Sequence, residues 1–192
     1  MKKILLFVLV VICLANCNST KQALKIKSIK SEHDVTLFYS KKRKTITFIS
    51  LPSEIIIENP STKKKSFTDY WYIYGNKSKG NFISLYLIEN EKLTKQSISK
   101  IKHIEGNSSK KYLITSKHFV DTTKFGRFFF KPYIEEMIRL KQDSLNVGTM
   151  SEFSKKQSKL IKWLTNNNDS IKIQPFKLKS GFEKEIRIPV KY

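Results

Sequence analysis

Residues 35–50 read VTLFYS, KKRK and TITFIS in succession. Two runs of β-branched and aromatic residues flank four basic ones, the pattern of two strands joined by a solvated turn. The neighbouring segments extend the theme. Upstream, ALKIKSIK (23–30) places Leu24 and Ile26 at period two and predicts a first strand. Downstream, Leu51-Pro52 predicts a break. EIIIE (54–58) then predicts a short apolar strand ending at Asn59-Pro60, because the residue before a proline avoids the helical region and proline has no ladder donor.

DYWYIY (69–74) and NFISLYLI (81–88) are the strongest strand candidates. Gly75 and Gly80 bracket Asn76 to Lys79. That predicts a hairpin with Tyr70 opposite Leu85, Trp71 opposite Ser84, Tyr72 opposite Ile83 and Ile73 opposite Phe82. Residues 89–104 are ambiguous, with Leu93, Ile101 and Ile104 on a loose helical face. KYLITSK (111–117) and FGRFFFK (125–131) read as further strands, the second buried on both faces through Phe128, Phe129 and Phe130.

Two helices are predicted next. Pro132 suits a first helical position, and Ile134, Met137 and Ile138 carry an apolar face towards Leu145, with Gly148 as the stop. Thr149-Met150-Ser151-Glu152 has the form of a capping box ahead of Phe153, Leu160, Ile161 and Leu164. Ile171, Ile173, Phe176, Leu178, Ile186, Ile188 and Val190 then alternate as closing strands around Ser180-Gly181. Short loops between strands argue for antiparallel pairing. The expected fold is mainly β: an antiparallel sandwich or partly closed barrel carrying a late two-helix insertion near 132–145 and 150–165.

The chain has 192 residues, 40% apolar and 12% aromatic, enough for one domain with a real core. Net charge is +21, yet only Arg43, Arg127, Arg139 and Arg187 are arginine. Lysine is spread along the chain, which suits a solvated surface or attraction to an anionic one. No nucleic-acid motif accompanies it, and that partner class is excluded. Both cysteines precede residue 18, which excludes a disulfide scaffold and a cysteine zinc site.

Met1-Lys2-Lys3 is a short positive start, and Ile4 to Ala15 is an apolar run too short to span a membrane, which takes ~20 residues. Leu14-Ala15-Asn16-Cys17 closes it. This resembles the lipobox of bacterial lipoproteins, with Asn16 standing where a smaller residue is usual. The resemblance implies a signal peptide over 1–16, lipid attachment (diacylglyceryl and palmitate-type acyl chains) at Cys17, a tether over 17–22 and one β-rich domain over 23–192. Several acyl chains at ~0.8 kcal/mol per buried CH₂ would hold such a chain at the membrane. Asn18 after the cysteine implies outer rather than inner membrane by the sorting rule of some lipoproteins. Processing would also leave no free thiol for catalysis.

Candidates for chemistry are sparse. Tyr70, Trp71, Tyr72 and Tyr74 form the densest aromatic cluster. They read as a central core strand with Trp71 inside, or as an aromatic platform for a sugar or protein partner. Ser116 and His118 share a strand face with Asp121 nearby, but a nucleophile–base set is defined by geometry rather than proximity in sequence. Glu135-Glu136 is expected to serve the dipole at a helix start. His33, His103 and His118 show no metal spacing, and no nucleotide loop occurs, so no cofactor is expected. Asp143-Ser144-Leu145 and Asp169-Ser170-Ile171 resemble a short O-glycan acceptor pattern. The expected function is a non-enzymatic envelope binding or assembly module. The alternatives are an envelope-polymer hydrolase and a carrier of lipid or another small ligand.

Overall fold

The computed structural model describes residues 23–75, 77–78, 83–121, 125, 127–165 and 168–192. The leader, Cys17, the tether and the 79–82 part of the expected hairpin lie outside them. Chain order is β1 (Lys25–Ile29), β2 (Asp34–Ser40), β3 (Thr45–Asn59), β4 (Lys65–Tyr74), β5 (Lys77–Ser78), β6 (Ile83–Glu89), β7 (Lys92–Gln96), β8 (Lys102–Ile104) and β9 (Ser108–Phe119). Then follow α1 (Arg127–Arg139), β10 (Ser144–Thr149), α2 (Met150–Lys156), α3 (Ser158–Thr165), β11 (Ser170–Lys177), β12 (Gly181–Phe182) and β13 (Ile186–Pro189). The expected class holds: the molecule is mainly β, with two antiparallel sheets, one curled as a half-barrel, and helices late in the chain.

The 35–50 hairpin forms as read, with Leu37 opposite Ile49 and Phe38 opposite Phe48. The predicted break at Leu51-Pro52 does not occur. β3 runs unbroken for 15 residues because β9 pairs with it from Phe48↔Phe119 to Asn59↔Ser108. Its other edge changes partner, β2 covering Thr45–Ser50 and β1 covering Glu54–Glu58. Leu51 to Ser53 face the vacancy between them, so a missing donor turned to that edge forfeits no ladder bond. A bulge between Phe38 and Tyr39 adds Thr47 to β3. It brings Ile46 onto the face shared by Ile49, Leu51, Ile55 and Ile57.

That face carries two cores. Ile55, Ile57, Tyr112 and Ile114 pack against Phe67, Tyr70, Tyr72, Ile171 and Ile173 of the second sheet. Ile46, Ile49, Leu51, Val35 and Leu37 pack against Phe130, Met137, Phe153, Leu160 and Leu164 of the helices. The second sheet has the order β12-β11-β4-β5, with β13 on β11 and β8 on β4. The predicted 69–74 with 81–88 hairpin is therefore wrong. β4 turns back only into β5 and pairs with β11, Tyr72 opposite Ile171 and Trp71 opposite Lys172. β6 belongs to the other sheet, between β9 and β7. Residues 92–96 and 102–104 are strands, not helix.

FGRFFFK is not a strand. Its last five residues open α1, where Phe130, Tyr133, Ile134 and Met137 recur at helical spacing and face the core. Phe128 lies on the opposite side, 88% exposed. Pro132 sits inside α1 rather than at its first position, and the cost is the bond its N–H would have given to Phe128 O. The helix expected to reach Leu145 stops at Arg139. Lys141 takes a left-handed φ of 55° and Gln142 N–H returns to Met137 O at 2.9 Å. Residues 144–149 are then free to pair with β2 as β10.

The capping box forms as read: Thr149 Oγ1 accepts from Glu152 N–H and Glu152 Oε2 accepts from Thr149 N–H. Gly148 precedes it at φ 96°, where a Cβ would stand 2.7 Å from Glu152 Oε2. The helix read over 150–165 is two, separated at Gln157. Glu135-Glu136 lies in the second half of α1, and ion pairs with Lys131 and Arg139 explain it rather than the dipole.

Fully enclosed and exposed aromatics should separate sharply. Phe67→Ala is expected to cost about 3–5 kcal/mol in chemical denaturation, and Phe128→Ala less than about 0.5 kcal/mol. Comparable losses at the two positions would contradict the placement of α1.

Candidate functional site

The two cores meet along a polar seam on the concave face of the first sheet. β9 contributes it by alternation: Tyr112 and Ile114 point into the first core, and Ser116 and His118 continue the same face. Tyr192 packs against both cores and reaches into the seam. Ser116 Oγ lies 2.9 Å from His118 Nε2 and 3.0 Å from Tyr192 OH. Tyr192 OH contacts Tyr72 OH, and Tyr72 donates to Asp169 Oδ2 at 2.7 Å. Gly75 N–H donates to Asp169 Oδ1 at 3.1 Å. A chain of polar groups thus links both sheets and the start of β11.

Burial tunes these groups. Desolvation pushes the His118 pKa down to about 4, against a weaker upward pull from a backbone hydrogen bond to Leu164. His118 is therefore neutral near pH 7. Desolvation raises the Tyr72 and Tyr192 hydroxyls far above their ordinary range, so both remain protonated donors. Burial also raises Asp169, partly offset by the bonds from Tyr72 and Gly75. Elsewhere, buried Lys102 is pushed down to about 8 by desolvation. Its ammonium donates to Thr68 O at 2.6 Å and lies 5.0 Å from the Tyr70 ring centre.

Ser116 and His118 come together as their shared face requires. The carboxylate that completes the group is Asp169, not Asp121. Asp121 instead accepts Phe125 N–H at its main-chain carbonyl. The pair is not laid out for attack on a substrate. Ser116 has no exposed surface, and its hydroxyl is enclosed by three hydrogen-bonding partners: Leu51 O, His118 Nε2 and Tyr192 OH. A nucleophile needs open space beside its oxygen. His33 lies 3.8 Å from Glu54 and His103 Nδ1 lies 2.8 Å from Ser66 Oγ, both remote from the seam. Among the described residues, no group of three His, Cys, Asp or Glu could hold a metal ion.

The aromatic cluster divides by face. Tyr70 and Tyr72 are buried in the first core, and Tyr74 is half-buried against Tyr72 and His118, donating to Lys117 O. Trp71, expected inside, lies half-buried on the outer face of β4, with Lys172 Nζ 5.1 Å from its ring centre. The four residues do not make one platform. Beside Asp169 and Tyr192 a cleft of about 500 Å³ opens, also lined by Ser170, Arg187, Ile188 and Val190. Ser170, read as a glycan acceptor, is buried and receives Arg187 Nε–H at 2.7 Å. Ser144, the other acceptor, is exposed on β10. No protein-family model and no curated protein matches the chain.

The seam predicts a pH dependence. Between pH 6.5 and about 4 the unfolded chain takes up a proton at His118 that the folded chain refuses. Stability is therefore full above pH 6.5 and falls as pH drops, by about 3 kcal/mol over that window. Asp169, with its raised carboxyl, works in the opposite sense at the acid end. His118→Gln should flatten the slope in urea titrations at several pH values. An unchanged slope in that variant would contradict the assignment. A serine-directed phosphonate should also leave Ser116 unlabelled in the folded protein. Stoichiometric labelling there would revive the hydrolase reading.

Proposed function

We propose that this protein is a bacterial cell-envelope lipoprotein, anchored through Cys17 in the outer rather than the inner membrane. Its β-domain works by binding or assembly. One combination carries the reading: a leader ending in Leu14-Ala15-Asn16-Cys17 stands ahead of a domain whose interior is filled while large apolar side chains remain at its surface. Phe67, Tyr70, Tyr72 and Tyr112 occupy the space between the sheets, which speaks against a ligand-carrying cavity there. Phe128 and Ile138 on α1, and Leu178 and Phe182 around the turn into β12, are exposed. Exposed side chains of this size at the ends of a filled domain suit contact with another surface. No described helix is long and apolar enough to cross a membrane.

In cells fed a fatty-acid probe, wild type should be labelled and recovered with membranes. Cys17→Ser should lose the label and accumulate with its leader attached. Labelling and maturation that persist in that variant would overturn the assignment.

A further inference from the structure

The two basic clusters of the sequence lie at opposite ends of β3. Lys41 to Lys44 form the turn before Thr45, and Lys63 to Lys65 follow Asn59. Fourteen residue steps at ~3.3 Å would place those ends some 45 Å apart along a straight strand. A surface met end-on by β3 would therefore touch one cluster and not the other. The second has other company. Phe176 pairs with Ser66, which brings the turn between β11 and β12 to the same end as Lys65. A cleft of about 460 Å³ separates Lys63, Lys64 and Lys65 on one side from Lys177, Leu178 and Lys179 on the other. Leu178 is 82% exposed and Phe182 65% exposed.

This end is firmly built. Asn59, buried, donates from Nδ2 to the carbonyls of Lys63, Ile104 and Glu105, while its Oδ1 accepts from the backbone and hydroxyl of Ser61. Gly106 lets the neighbouring turn close on this loop, since a Cβ there would lie 2.1 Å from Thr62 O. Lys64 pairs with Glu105 at 2.9 Å, and Lys177 pairs with Glu183. Five lysines against two carboxylates leave the cleft strongly positive.

The chain also enters the domain here. β1 begins with Lys25 opposite Glu58, at the same end of β3. Cys17 is eight residues upstream, a reach of at most ~28 Å. We propose that this end is the membrane-docking surface, Leu178 and Phe182 entering the boundary of an anionic leaflet and the surrounding lysines meeting its phosphates. Its orientation relative to the anchor rests on the lipoprotein reading above. The occupant is the anionic lipid surface. Lysines flanking two protruding apolar side chains are the combination that binds such a boundary, and each lysine's share falls off within a Debye length of ~8–10 Å. Lys42, at the far end of β3, is out of range.

The test uses the full chain with Cys13→Ser and a single reporter cysteine, Leu178→Cys, Phe182→Cys or Lys42→Cys, carrying an environment-sensitive fluorophore. The protein is reconstituted in vesicles of phosphatidylglycerol with phosphatidylcholine, or of phosphatidylcholine alone. Intact mass reports whether Cys17 is acylated. With an acylated chain, reporters at 178 and 182 should be shielded from an aqueous quencher in anionic vesicles only, and the reporter at 42 in neither. Lys63→Ala with Lys179→Ala should lower the docked-to-free ratio by about 30-fold. An acylated chain whose 178 reporter is as accessible as that at 42 overturns the docking surface and leaves the anchor standing. Where the chain is not acylated, the same reporters are placed in a chain with Cys13→Ser and Cys17→Ser, and shielding on added anionic vesicles then supports docking and removes the anchor. Equal shielding in neutral vesicles overturns the charge-directed surface.

Discussion

The β3–β9 ladder is the constraint on which the remainder depends. Twelve consecutive residue pairs join the two strands, and every other strand of the first sheet attaches to one of them or to their neighbours. Because the ladder is continuous, β3 can change partner on its free edge without breaking. Pro52 is tolerated at that change. The same length gives β3 one face long enough to serve two cores, the second sheet over Ile55 and Ile57 and the helices over Ile46, Ile49 and Leu51. Its two ends are thereby held far apart, and the lysine clusters with them.

Two cores on one face leave a seam, and a seam between apolar bodies is where a buried polar group must find a partner or lose stability. Ser116, His118, Tyr192, Tyr72 and Asp169 supply partners to one another across it. The arrangement uses residue types that elsewhere do chemistry, but its geometry closes on itself. Tyr192 is the piece that joins the sides, touching both cores and hydrogen-bonding to groups of both sheets. The surface features that could serve a partner lie elsewhere, at the exposed side of α1 and the end that carries Leu178.

What could be read from the sequence was local. The 35–50 hairpin declares itself by alternation around a basic turn, and Thr149 with Glu152 declares a helix start because the capping box needs only four residues. The 69–88 region misled for a physical reason. Strands that are apolar on both faces state that they are buried but not in which sheet, and proximity in sequence then favours one hairpin for two strands that belong to different sheets. Trp71 follows the same reasoning: alternation puts it on the other face of β4 from Tyr70 and Tyr72 but does not say which face is buried. Phe128, Phe129 and Phe130 read as a strand because three aromatics favour one, whereas Phe130 with Tyr133, Ile134 and Met137 carries the helical spacing that prevails. Ser116 and His118 could be placed on one face from the sequence. Asp169 and Tyr192 could not be joined to them, since the contacts that do so, Asp169 to Tyr72 and Tyr192 to His118, cross 97 and 74 positions of chain and follow from the tertiary arrangement.

β3 holds the start of the domain beside Lys63 and away from Lys42. Distances between paired spin labels measure this directly, in the full chain with Cys13→Ser and Cys17→Ser. Labels at Lys25→Cys and Lys63→Cys should lie within about 20 Å, since Lys25 faces Glu58 and five residues at ~3.3 Å lead on to Lys63. Labels at Lys25→Cys and Lys42→Cys should lie at least about twice as far apart, β3 being extended between its ends. Two similar distances would mean that β3 folds back at Pro52, and the separation of anchor end from far end would fall.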